Sequence, residues 1–172
     1  MSEEHQTLTI QEAIDLAIRH HSAGRLPEAE RIYRQVLLQH PNHATALHFL
    51  GVIAHQVGKN DAAIELINKA LTTNPDYAEA HCNLGLVFHA LGELNDAVTR
   101  YHKALSLKPD YAEAHNNLGN ALKDQGKPDE AVASYHKALA IKPDYAEAHN
   151  NLGAALQDLG ELDEAVASYR KA

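Results

Sequence analysis

Residues 112–145 read AEAHNNLGNALKDQGKPDEAVASYHKALAIKPDY, and the stretch has copies on both sides of itself. Ala-Glu-Ala-His recurs at 78–81, 112–115 and 146–149, 34 residues apart each time. Leu-Gly recurs with the same offset at 50–51, 84–85, 118–119 and 152–153. Lys-Pro-Asp-Tyr stands at 108–111 and 142–145, and Asn74-Pro75-Asp76-Tyr77 lies one period earlier. Residues 78–111 and 112–145 agree at 19 of 34 positions, and residues 146–172 repeat 21 of the matching 27. A period of this length marks an architecture of stacked units, each too small to bury a core alone. The units are 10–43, 44–77, 78–111, 112–145 and an incomplete 146–172, forming a single array over 10–172 behind a short extension, 1–9. Nothing resembling a linker separates them.

Each unit reads as two helices. In 110–143, Asp110 and Glu113 have capping-box spacing at the start of the first helix. Leu118 and Leu122 lie four apart and face one way. Gly126 supplies a turn, and Pro128 suits the first turn of a second helix, where its missing N–H is no loss. Ala131, Ser134, Tyr135, Ala138 and Leu139 form the second buried stripe, and Pro143 prevents continuation. No segment alternates over enough residues for a strand, so the expected class is all-α. Gly51, Gly85, Gly119 and Gly153 sit mid-helix at one phase, although Gly there costs roughly 1 kcal/mol against Ala. Close approach of the partner helix is the expected compensation, with Ala63, Ala97, Ala131 and Ala165 as the matching small series.

Composition agrees. Of the 172 residues, 45% are hydrophobic but only 5% aromatic, with no Trp. Small-residue helix seams fit this better than a globule built on large aromatics. Lys and Arg total 15 against 23 Asp and Glu, a formal charge of -8. An acidic chain without a basic run lacks the footprint of a nucleic-acid binder. No window reaches the roughly 18 apolar residues of a membrane span, so no membrane insertion is expected. The start, Met1-Ser2-Glu3-Glu4-His5, is acidic where a secretory signal is basic. Cys82 is the one cysteine, which suits a reducing compartment. A cytoplasmic location is expected.

The recurring residues resemble the tetratricopeptide repeat, whose pattern is W-x2-L-G-x2-Y…A-x3-F…P at period 34. It reads His81, Leu84, Gly85, Phe88, Ala97, Tyr101 and Pro109, then His115, Leu118, Gly119, Leu122, Ala131, Tyr135 and Pro143. The fifth unit has His149, Leu152, Gly153, Leu156, Ala165 and Tyr169. The second is looser (Leu47, Leu50, Gly51, Ala54, Ala63, Ile67, Pro75), and the first keeps Leu16, Ala29, Tyr33 and Pro41, with Ala17 for Gly. His replaces the pattern's Trp in three units. The resemblance implies a right-handed superhelix of antiparallel helix pairs, with first helices lining a concave groove that binds peptides or extended protein segments. Residues 112–120 are similar to the repeats of protein O-linked N-acetylglucosamine transferases, and the opening residues look like those of bacterial repeat proteins.

In that family the groove is lined by positions 2, 5, 6, 9, 12 and 13 of each repeat. Position 5 is Ile14, His48, Cys82, Asn116 and Asn150; position 6 is Asp15, Phe49, Asn83, Asn117 and Asn151. Position 9 includes Asn120, and position 12 is His21, His55, His89, Lys123 and Gln157. No Lys occupies position 5, where chaperone-binding members clamp a terminal carboxylate. Asn83, Asn117 and Asn151 form a column whose amides match a peptide unit's C=O and N–H. The candidate binding set is therefore this column with Asn116, Asn150, Asn120, His48, Phe49, His21, His55, His89 and Lys123.

The 13 His do not make a metal motif, since no His-Glu-x-x-His occurs and ligands on parallel stacked helices do not converge on one ion. His21, His55 and His89 would instead make the groove sensitive to pH. No nucleophile elbow, phosphate-binding loop or Cys/His pair is present, so neither catalysis nor a cofactor is expected. Glu79, Glu113 and Glu147 read as helix-start caps. The expected function is a non-catalytic scaffold for a protein or peptide partner. The alternative is the substrate-recruiting arm of a larger O-linked N-acetylglucosamine transferase-like, glycosyltransferase or sulfotransferase protein. Sequence ending inside a repeat suggests a fragment of a longer array, whose exposed ends offer a route to self-association.

Overall fold

The computed structural model describes residues 8–172. Among these, ten α-helices and no strand are found: α1 (Ile10–Ser22), α2 (Leu26–Gln39), α3 (Ala44–Gln56), α4 (Asn60–Thr73), α5 (Ala78–Ala90), α6 (Leu94–Leu107), α7 (Ala112–Asp124), α8 (Pro128–Ile141), α9 (Ala146–Asp158) and α10 (Leu162–Tyr169). They form two compact units, divided after Pro75. In the first, α1 to α4 pack each against the next. In the second, α5 to α10 do the same, and the first helices of successive repeats, α5, α7 and α9, also touch.

Each turn between paired helices is a glycine with positive φ, at Gly126 +74°. A side chain there would be strained, because L-residues with a Cβ rarely adopt this conformation. Pro128 opens α8 as expected. The expected caps differ. The N-cap of α7 is Tyr111, with no side-chain cap bond, and α5 and α9 start likewise at Tyr77 and Tyr145. With Tyr111 as N-cap, the third helical residue is Ala114, so neither Asp110 nor Glu113 has the register of a capping box. Glu79, Glu113 and Glu147 stand at the second helical position and not the third, so the expected capping-box role does not apply to them. The helix with a complete capping box is α1, built from Thr9 and Glu12.

The mid-helix glycines sit under a ring. A Cβ on Gly119 would stand 2.5 Å from Cε1 of Tyr135, and one on Gly85 2.6 Å from Cε1 of Tyr101. Gly51 meets Ile67 instead. The knob entering the glycine notch is therefore the residue at repeat position 24, and the Ala series lies beside it, fully buried at Ala63, Ala97 and Ala131. The second unit's core joins Ala97, Tyr101, Ala131, Tyr135 and Ala165 to Leu118, Leu122, Leu152 and Leu156. The first unit's core holds Ile14, Ala17, Ile32, Tyr33, Val36, Leu50 and Ile53. Burying a Leu, Ile or Val side chain of this kind stabilises by roughly 1.5–3 kcal/mol.

Histidine at the pattern's Trp position is buried by a defined bond. Nε2 of His115 donates to the Pro109 carbonyl at 3.0 Å, and His149 repeats this with Pro143 at 2.9 Å. A carbonyl only accepts, so the proton is on Nε2 in both. Each ring thus ties a first helix to the proline that ends the preceding repeat. Burial holds the His115 pKa below its ordinary value.

Candidate functional site

Along the first helices of the second unit, α5, α7 and α9, side chains of successive repeats meet. Asn117, at position 6, donates Nδ2–H to Sγ of Cys82 at 3.8 Å. One repeat later, Asn151 donates to Oδ1 of Asn116 at 3.0 Å. Each position-6 amide therefore reaches back to position 5 of the repeat before it. Asn116 passes the chain on, donating to Oε1 of Glu147 at 3.1 Å. At position 12, Nε2 of His89 lies 2.7 Å from Oδ2 of Asp124, at position 13 of the next repeat.

These bonds sort the candidates. Asn83, Asn117 and Asn151 are half-buried, as are Asn120 and Lys123, and Asn150 is exposed. Asn116 is 0% exposed. It joins two helices and lies beneath the face, a correction to its place in the lining set. Position 5 turns toward the following repeat, and the first helix of that repeat covers it. Cys82 occupies the same position and is buried as well; burial pushes its thiol up to about 11, which keeps it protonated and unreactive. Asn120 accepts the Tyr135 hydroxyl at 2.7 Å, so it steadies the ring in the glycine notch.

In the first unit, His48 is 1% exposed, which corrects its place in the lining set. Phe49 is half-buried, stacked on Tyr33 at 5.8 Å with rings 6° from parallel, and meets His21 edge-on. Nε2 of His21 lies 3.0 Å from Oε1 of Gln56, the position-12-to-13 link already met at His89. His55 departs from it: its Nδ1 lies 2.8 Å from Oδ1 of Asn60, at the start of α4. The expected histidine column is thus made of rings already engaged in side-chain bonds, two to the next repeat and one within its own.

Sequence reading counts positions 2 and 13 among the lining positions but leaves their carboxylates out of the candidate set. Glu113 and Glu147 recur at position 2 and are exposed, with Asp124 and Asp158 at position 13. Their signal was the same 34-residue recurrence, which for Glu113 and Glu147 is read above as helix capping. Tyr145 lies between the glutamates; burial first, then Glu147 and Glu113, push its hydroxyl up to about 12. The second unit's face is therefore a row of amides flanked by carboxylates. Hydrogen bonding and ion pairing are the chemistry it offers. Among the described residues, no group of three His, Cys, Asp or Glu is placed to hold a metal ion.

Family comparison places the repeats. A TPR repeat family is matched over residues 53–92, 85–126 and 119–160, and a second tetratricopeptide repeat family over 13–38. The chain belongs to the tetratricopeptide repeat family. Solved structures of this repeat agree with its fold. MamA is 30% identical, with a TM-score of 0.77, over 90% of this chain and 91% of that one. A thermophilic TPR protein of Thermus thermophilus is 27% identical, with a TM-score of 0.82, over 95% and 90%. The pilF protein of Pseudomonas aeruginosa, at 22% identity, shares the fold, with a TM-score of 0.87 over 94% and 74%. No curated protein matches. No helix among the described residues is long and apolar enough to cross a membrane.

Proposed function

We propose that this tetratricopeptide repeat chain is a non-catalytic scaffold that binds an extended segment of a protein partner on the inner face of α5, α7 and α9. The supporting observation is the state of Asn117 and Asn151. Each is half-buried and commits one N–H to the neighbouring repeat. Each keeps a second N–H and a carbonyl oxygen, the donor and acceptor that one peptide unit requires. The bond to the neighbouring repeat fixes the amide's orientation, so less side-chain entropy is lost when a ligand docks. Asn83 continues the column on α5. This is the mode of holding a main chain that the O-linked N-acetylglucosamine transferase-like repeats suggest, and it tolerates varied partner side chains.

The test is an array of immobilised 12-residue peptides, screened with the wild type and with Asn83→Ala/Asn117→Ala/Asn151→Ala. The triple variant should lose most of the bound peptides. An unchanged pattern of spots would refute the amide column. Because two of these amides also join repeats, the variant should be less stable by about 0.5–1.5 kcal/mol per lost bond, so the screen is run well below its melting temperature.

A further inference from the structure

The charges around the amide column define the partner more narrowly. Glu113 on α7 and Glu147 on α9 are exposed at the same repeat position, 34 residues apart. Neither takes part in an ion pair among the described residues, whereas Glu79, one repeat earlier, is paired with Lys108 at 3.1 Å. At the other end of the helices, Asp124 faces His89, and Asp158 is exposed. Two half-buried cations lie among them: Lys108, which pairs with Glu79 and also feels Glu113, and Lys123. Carboxylates alone would make an ordinary solvated surface. Here they flank Asn117 and Asn151, which each keep an N–H and a carbonyl oxygen and are held in place by bonds between repeats.

The spacing adds a register. Helices packed closely enough to share side-chain hydrogen bonds have axes roughly 8–10 Å apart. An extended chain in the polyproline II conformation rises about 3.1 Å per residue with three residues per turn, so about 9.3 Å separates side chains on one side. One repeat therefore corresponds to three residues of such a chain, and the same side of the ligand meets each position-2 carboxylate in turn.

We propose that the inner face of α5, α7 and α9 selects an extended partner segment bearing Lys or Arg at every third residue, two of these cations pairing with Glu113 and Glu147. The proposal rests on the reading that this face holds a peptide main chain, and adds the partner's chemistry to it. A nucleic acid is disfavoured by the same charges, because its phosphates would face the carboxylates.

The experiment is fluorescence anisotropy with three labelled peptides: (Lys-Ala-Ser)4, (Gln-Ala-Ser)4, and a peptide of the first composition with its four lysines contiguous. The wild type should bind the first more tightly than the second by about 2- to 30-fold, the range for two exposed ion pairs. This preference should shrink as salt is raised. Glu113→Gln/Glu147→Gln should abolish the preference while leaving the melting temperature close to wild type, since a glutamine at position 147 still accepts from Asn116. Equal binding of the first two peptides by the wild type, or a preference that survives the double substitution, overturns the proposal. Equal binding of the spaced and contiguous lysines overturns the register. Asn117→Ala/Asn151→Ala should weaken the Lys and Gln peptides by a common factor. No effect of that pair overturns the main-chain reading instead, and no binding of any peptide overturns both.

Discussion

Two adjacent asparagines show what single residues contribute. Asn116 and Asn117 are indistinguishable in sequence, yet one is fully buried between repeats and the other half-exposed. A rotation of about 100° per residue around a helix separates them, and only the place of the neighbouring helix decides which is covered. Asn116→Ala should cost about 1–3 kcal/mol, because it leaves the Asn151 donor and the Glu147 acceptor without their partner. Asn150→Ala, at the same repeat position but exposed, should fall within about 0.5 kcal/mol of wild type. Chemical denaturation of the two variants checks this, and equal losses would contradict the assigned burial. Gly119 gives a second residue-scale case. Gly119→Leu should destabilise by about 1–3 kcal/mol, since its side chain must displace the buried Tyr135 ring. An unchanged melting temperature would contradict the notch.

At the scale of elements, histidine replaces the family's tryptophan as a fastener between helix and preceding loop. Burial lowers the His115 pKa from 6.5, so in the pH range below that value the unfolded chain binds more protons than the folded one. Its contribution is fully present above the unfolded value of 6.5 and is lost as pH falls through the folded value. His115→Gln keeps a donor for the Pro109 carbonyl and removes the titration. The variant should therefore lose less stability than wild type between about pH 7.5 and 5, measured by denaturant melts, and parallel losses would refute the assignment. Helix pairs, the turn at Gly126 and the proline stops were legible in the 34-residue recurrence because they depend on local backbone geometry. The caps were not. A shift of one residue in the start of α7 moves Glu113 out of the capping register and onto the open face, and periodicity alone does not locate a helix start that finely.

At the scale of the molecule, family membership and the all-α class were readable from repetition, since several positions recur in phase. The proposed binding face was readable only in outline. Its amide column is in the sequence, but the bonds that orient Asn117 and Asn151 join residues 35 apart and depend on how repeats stack. The same stacking removes Asn116 from the surface and leaves Glu113 and Glu147 on it. The formal charge of -8 thus has a local expression on the inner face of α7 and α9.

The most direct test of that face is side-chain amide NMR of 15N-labelled protein titrated with (Lys-Ala-Ser)4. The binding face proposed for the second unit predicts that the Nδ2 resonances of Asn117 and Asn151 shift together and saturate at one peptide concentration. Shifts confined to α6, α8 and α10, with both amides unmoved, would contradict it.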